Sequence, residues 1–162
     1  YNYRVPTVSL RYFTVYGPRQ RPEMAFHRLI RSALTGEAFP LYGDGSQSRS
    51  FTFIGDVVQA NLAALLADDE DCSAPWLGEP VNIGGGPRAT LTEVISIVEE
   101  LTGKRINLKR MESQKGDVDH TEADLTRARA WLGYQPKTTL REGLSAQIEW
   151  LERLLQSEGA RT

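Results

Sequence analysis

Cysteine is almost missing: Cys72 stands alone in 162 residues. That excludes an internal disulfide framework and any cysteine-based zinc cluster, and it agrees with a reducing compartment. Histidine is nearly as scarce. Neither His27 nor His120 has a second ligand at metal spacing, so each reads as a structural or solvated side chain and no metal site is expected. No apolar stretch approaches the ~18 residues needed to cross a bilayer, and the opening Tyr1-Asn2-Tyr3-Arg4-Val5-Pro6 has no signal-peptide layout. The expectation is therefore a cytoplasmic chain with no membrane contact. Runs of one charge sign are short, and 19 Lys+Arg against 21 Asp+Glu leave a net charge of −2. Nothing in that balance attracts nucleic acid or an anionic surface in general, so any anion binding must be local. Walker loops, Gly-x-Ser-x-Gly elbows and His-Glu-x-x-His are also missing.

What is present suits one globular domain of mixed α/β order, with 40 % hydrophobic and 25 % charged residues. Thr7 to Phe13 is rich in β-branched and aromatic residues and reads as a buried strand running into Gly17-Pro18. Met24 to Thr35 carries a helical stripe of Phe26, Leu29, Ile30 and Leu34, with Gly36 placed as its left-handed stop and Arg28 and Arg31 off the stripe. Phe39 to Tyr42 is a short extended piece, Gly43-Asp44-Gly45 a turn, and Ser50 to Ile54 a half-buried strand. Asp56 with Gln59 is a helix-start pair, and Val57, Val58, Leu62, Leu65 and Leu66 are expected to form that helix's buried face. Residues 68–80 read as loop. Val81 to Ile83 is a strand entering Gly84-Gly85-Gly86, which lacks dinucleotide-loop spacing and reads as a tight strand-to-helix connection. Thr90 with Glu93 opens a helix ended by Gly103. Ile106 to Lys109 is a strand, Leu125 to Leu132 a helix stopped by Gly133, Thr139 with Glu142 opens the last helix, and 156–162 is a frayed tail.

Two stretches carry chemistry. Tyr42-Gly43-Asp44-Gly45 through Arg49 brings backbone N–H groups and a guanidinium into one neighbourhood, which suits a diphosphate. The same residues also suit an ordinary hairpin turn with a solvated arginine. Gly17-Pro18-Arg19-Gln20-Arg21-Pro22 places two arginines just past a strand's carboxyl end, where open α/β sheets bind ligands. From spacing alone the reading as a pair of surface arginines is favoured over a ligand site. No catalytic constellation is visible.

Taken in order, Leu10-Arg11-Tyr12-Phe13-Thr14-Val15-Tyr16-Gly17-Pro18, Tyr42-Gly43-Asp44-Gly45, Arg49-Ser50-Phe51-Thr52-Phe53-Ile54-Gly55-Asp56, Val81-Asn82-Ile83-Gly84, Gly116-Asp117-Val118 and Ala123-Asp124 form one series. This series resembles the carboxyl-terminal half of the nucleotide-sugar epimerases and dehydratases of the extended short-chain dehydrogenase family, over about Val5 to Leu151. Within it, Thr14 through Ala25 is most similar to the UDP-glucuronate 4-epimerases.

The resemblance implies a partial Rossmann fold, its last strands near 7–13 and 81–83, joined to a small mixed α/β substrate-binding lobe. It implies NAD as cofactor of the complete protein and a UDP-sugar as ligand. By position, Arg49 would hold the diphosphate, Asp117 the ribose and Tyr42 the uracil-facing segment, while Tyr12 and Phe13 would lie beside the nicotinamide. Thr14 and Arg21 would meet the sugar's carboxylate, Glu23 the base, and Gln114 would supply neutral hydrogen bonds where relatives often have Arg. Ser50 and Gly55 depart from the family's usual Asp. No tyrosine has Lys four places on, so the family's Tyr-x-x-x-Lys pair is lacking and the chain alone is expected to be inactive. Its partners would be a missing amino-terminal Rossmann half or, through exposed strand edges, a second copy. A fragment of a related UDP-glucose 4-epimerase, 4,6-dehydratase or decarboxylase, or an inactive nucleotide-sugar binding module, is the alternative reading.

Overall fold

The computed structural model describes residues 5, 7–67, 76–86, 88–112 and 120–159. In chain order the elements are β1 (Ser9–Tyr12), β2 (Val15–Tyr16), α1 (Ala25–Thr35), β3 (Phe39–Tyr42), β4 (Ser48–Arg49), β5 (Thr52–Phe53), α2 (Ile54–Leu66), β6 (Pro80–Ile83), β7 (Ala89–Thr90), α3 (Leu91–Thr102), β8 (Leu108–Met111), β9 (His120–Thr121), α4 (Thr126–Leu132) and α5 (Leu140–Gly159). The expected α/β architecture with small parallel sheets is present. β1 pairs in parallel with β6, β2 with β5 and β3 with β8. β4 lies between antiparallel β7 and parallel β9.

Helix ends follow local chemistry. Gly36, Gly103 and Gly133 sit at φ 81°, 65° and 60°, the left-handed stops that glycine adopts without a Cβ clash. Thr90 and Glu93 form a reciprocal capping box, and Thr139 and Glu142 bond in the same way at the start of α5.

Two apolar cores result. In the first, α1 (Leu29, Ile30), α3 (Val94, Val98) and α5 (Leu144, Leu151) interlock through side chains with no exposed surface. Removing each from water contributes about 1.5–3 kcal/mol. The second gathers Val81 and Ile83 of β6 with Ala60 of α2 and Ala128 of α4.

Several expectations are corrected. The strand at 7–13 is not buried: β1 is mostly exposed, because among the described residues β6 alone pairs with it. Ser50 to Ile54 is not one strand; β5 covers Thr52–Phe53, and Ile54 already begins α2. The 43–45 turn is no hairpin, since β3 pairs with β8 and β4 with β7 and β9. Asp56 does not cap α2. Its carboxylate turns inward and accepts from the Lys137 and Thr138 N–H groups at 3.2 and 3.3 Å. The α2 face is also different: Val57 is buried, but Val58, Leu62, Leu65 and Leu66 are exposed, the last two by 78 % and 75 %. Finally, the tail from Gln156 is helical to Gly159, because Leu154 and Leu155 pack on the first core and carry α5 onward.

Candidate nucleotide-sugar site

The elements that flank the first core also build a concavity. β1 delivers Thr14 just past its end, the entry to α1 delivers Glu23 and Arg28, β3 delivers Tyr42, and β4 delivers Arg49. All line one cavity of about 350 Å³. Its floor is aromatic, with the Phe26 and Phe51 rings 4.5 Å apart. The rim carries two guanidinium groups and one carboxylate, so the local charge favours an anion although the chain as a whole is acidic. Arg49 is braced by its own strand, Nη1 donating to the Ser48 carbonyl at 3.0 Å.

Four of the residues expected from sequence, Thr14, Glu23, Tyr42 and Arg49, thus share one cavity. Arg21 does not line it. It borders another cavity, of about 280 Å³, beside Gly17 and Pro18, its side chain 75 % exposed and its Nε 3.2 Å from Glu23 Oε1. Tyr12 turns towards α2, where its hydroxyl donates to Asn61 Oδ1 at 2.9 Å. Phe13 continues the β1–β6 ladder through its N–H to the Ile83 carbonyl at 2.9 Å, and strand alternation points its side chain away from that of Tyr12. Gln114 and Asp117 lie outside the described residues.

The amide cradle expected around Gly43–Ser46 is partly committed to the fold. Gly43 N–H donates to the Met111 carbonyl and Ser46 N–H to the Asp44 carboxylate, whose pKa is lowered first by its bonds with Ser46. Cation chemistry therefore outweighs peptide amides here. Arg28 is the residue that sequence reasoning missed; a charged residue off an apolar stripe reads as solvated, and only its place in the first turn of α1 signals the cavity. Gln47 joins the lining in the same way.

A larger opening of about 980 Å³ lies elsewhere and contains none of the expected residues. There Glu122, Asp124 and Arg129 share the lining, a mixed set without converging cations. Gly85, in its lining, is held against the Phe51 backbone, where a Cβ would collide, so only glycine lets the segment after β6 press so close.

Parallel strand pairs with helices against them, and a cation-rimmed cavity beside the strand ends that carry Thr14, Tyr42 and Arg49, place the protein in the open-sheet α/β class. The profile of the NAD dependent epimerase/dehydratase family matches residues 1–84, and the chain belongs to that family. It is 43 % identical to an uncharacterized UDP-glucose epimerase, YtcB, of Bacillus subtilis over 97 % of this chain and 48 % of that protein. It is 34 % identical to the UDP-glucuronate 4-epimerase of Thermodesulfobacterium geofontis over 87 % of this chain and 42 % of that protein. Among solved structures, the UDP-glucuronic acid 4-epimerase of Bacillus cereus in complex with UDP-glucuronic acid and NAD superimposes with a TM-score of 0.86 at 40 % identity, covering 94 % of this chain and 47 % of that one. The chain spans about half the length of the relatives it matches.

Proposed function

We propose that this chain forms the nucleotide-sugar binding half of an NAD-dependent UDP-sugar 4-epimerase that acts on UDP-glucuronate through a 4-keto intermediate. The observation that carries the reading is the convergence of Thr14, Glu23, Tyr42 and Arg49 on one cavity, joined by the cation Arg28. Arg49 and Arg28 grip the diphosphate, because guanidinium groups give charge-assisted bonds to phosphate oxygens at any working pH. Tyr42 faces the base and Glu23 accepts from it, and by family position Asp117 takes the ribose and Gln114 adds neutral bonds. Thr14 and Arg21 meet the sugar carboxylate. In that step Arg21 exchanges its exposed partner Glu23 for a better-desolvated one. Relatives solved with UDP-glucuronic acid and NAD support the same ligand class.

In this reading NAD lies against the carboxyl ends of β1 and β6, which parallel pairing sets side by side with Tyr12 opposite Ile83, since open α/β sheets take dinucleotides at strand carboxyl ends. NAD supplies hydride acceptance and return. Tyr12 and Phe13 border the nicotinamide end, and the exposed β1 edge with the apolar face of α2 seats the NAD-binding half.

Titration calorimetry with the NAD-binding half present tests the site. Arg49→Ala weakens UDP-glucose and UDP-glucuronate alike, by about 1.5–3 kcal/mol or roughly tenfold to hundredfold. Arg21→Ala weakens UDP-glucuronate alone. Unchanged affinities in Arg49→Ala would sink the diphosphate role, and equal losses in Arg21→Ala would sink the carboxylate role.

A further inference from the structure

The loop that carries Arg21 is tied to the far end of the chain by a chain of uncharged amides. Gln147, on α5, has no exposed surface. Its Oε1 accepts from Gly17 N–H at 3.0 Å, and its Nε2 donates to Gln20 Oε1 at 2.9 Å. Gln20 in turn uses both ends of its own amide. Its Nε2 donates to the Val15 carbonyl at 2.9 Å, and its Oε1 accepts a second bond from His27 N–H at 3.0 Å. That last bond supplies the cap that α1 lacks locally, since Met24 at its start offers no side-chain acceptor. The His27 ring adds a further tie: its Nδ1 lies 3.1 Å from the Gln20 carbonyl. A carbonyl only accepts, so that nitrogen carries the proton.

This network spans the segment where the backbone is least relaxed. Arg19 stands at φ 66°, a left-handed conformation among the described residues that no other non-glycine shares. Such a conformation persists only where the surroundings over-determine it. Gly17, at φ 131°, is pressed so tightly that a Cβ would lie 2.6 Å from Ile54 Cγ2. Gly17 and Gln20, the two residues that flank Pro18 and Arg19, are the two that Gln147 holds. The clamp therefore fixes both ends of the strained turn and sets where the chain leaves it, one residue before Arg21. A buried, fully satisfied polar network specifies one geometry, whereas an apolar replacement leaves the Gly17 N–H unpaired and lets the turn relax.

We infer that Gln147 and Gln20 are positioning residues that hold Arg21 at the site, and through it set the preference for a UDP-hexuronate over a neutral UDP-hexose. The inference rests on the proposed carboxylate role of Arg21 and adds to it the device that makes a long, exposed side chain selective. Gln147 is fully buried and Gln20 bonds to protein atoms through both ends of its amide, so both act through Arg21.

The test is calorimetric titration of UDP-glucuronate and UDP-glucose into the NAD-loaded protein with its NAD-binding half present, for wild type, Gln147→Met, Gln20→Leu and Leu151→Ala. Leu151, also fully buried on α5, controls for general loosening of that helix. The expected result is that each glutamine variant loses about tenfold in affinity for UDP-glucuronate and less than about twofold for UDP-glucose, while Leu151→Ala leaves the ratio at its wild-type value. Equal losses for both ligands in the glutamine variants overturn the inference, as does a Leu151→Ala ratio that moves as far as theirs. Should Gln147→Met fail to fold, Gln20→Leu, only partly buried in the loop, decides alone by the same ratio. Wild type that binds both ligands beside glutamine variants with an unmoved ratio defeats this inference and leaves the proposed function standing. Wild type that binds neither ligand defeats both.

Discussion

The two cores of this protein are built to different degrees of closure. In the first, α1, α3 and α5 cover one another and the β3 strand, so that Leu29, Ile30, Val94, Val98, Leu144 and Leu151 lose all contact with water. In the second, β6 buries Val81 and Ile83 completely, yet its partner β1 is exposed and α2 turns Val58, Leu62, Leu65 and Leu66 outward. Parallel sheets are ordinarily buried on both faces. A parallel pair with an open edge, beside an apolar helix face, has the character of an interface, whereas the closed helical layer has the character of a free-standing core. The candidate site lies on the closed side, where Phe26, Phe39 and Leu91 belong both to its lining and to the layer that holds itself together.

The largest expected effect breaks this comparison directly. Leu144→Ala, in the closed core, lowers unfolding free energy by about 2–5 kcal/mol, through lost burial and the cavity left behind. Leu65→Ala, on the open face, changes it by less than about 0.5 kcal/mol. Urea unfolding of the two variants checks this, and comparable losses would show that α2 is already packed. The complementary measurement is association with the proposed NAD-binding half, which Leu65→Ala combined with Leu66→Ala weakens and Leu144→Ala, at temperatures where it is folded, does not.

A smaller effect distinguishes the cores by alkali. Tyr134, in the second core, donates to the Gly84 carbonyl at 2.8 Å, and burial followed by the nearby Asp56 carboxylate pushes its pKa up to about 12. Tyr16, in the first core, is raised as well, by burial and then by Asp56 and Glu142. A folded-state pKa above the ordinary value of 10.0 means that the neutral form is favoured by folding. The contribution is complete below pH 10 and is lost as pH rises towards 12. Tyr134→Phe is expected to move the alkaline unfolding midpoint upward, followed by circular dichroism; an unmoved midpoint would place the alkaline weakness in the first core, at Tyr16.

Much of this was legible in the sequence wherever the determining chemistry is local. The glycine stops at 36, 103 and 133 and the Thr-x-x-Glu boxes at 90 and 139 depend on partners within four residues, and each is in place. Local reasoning fails where a side chain is claimed by something distant. Asp56 has a cap residue's chemistry, but main-chain N–H groups 81 and 82 residues later take its carboxylate. The α2 apolar residues surround the helix rather than forming one stripe, so which of them are buried depends on neighbours. At the site, the ordered motifs carried Thr14, Glu23, Tyr42 and Arg49 to one cavity, while Arg28 has no local signal beyond its position at a helix start. Gln147 is invisible for the same reason as Asp56: its partners stand 127 and 130 residues away.

The smallest effect sharpens the comparison at acid pH. Glu93 and Glu142 hold their carboxylates below the ordinary value of 4.5 because each accepts from the N–H and hydroxyl of its own capping threonine. Both open helices of the closed core, α3 and α5. A depressed carboxylate pKa contributes stability that is complete above pH 4.5 and fades as pH falls through the folded value. Acid should therefore loosen the closed core through its helix starts, and Trp150, which packs on that core, reports it separately from Trp131, which packs on the second. In proteins retaining Trp150 alone, fluorescence is expected to red-shift as pH drops below 4.5. Glu93→Gln with Glu142→Gln should remove most of that pH dependence at the cost of a lower plateau. If the double variant keeps the wild-type acid limb at Trp150, the helix starts of α3 and α5 do not set the acid limit of the closed core, and the same titration read at Trp131 alone tests Asp124, whose carboxylate is lowered by Thr126 at the start of α4 beside the second core.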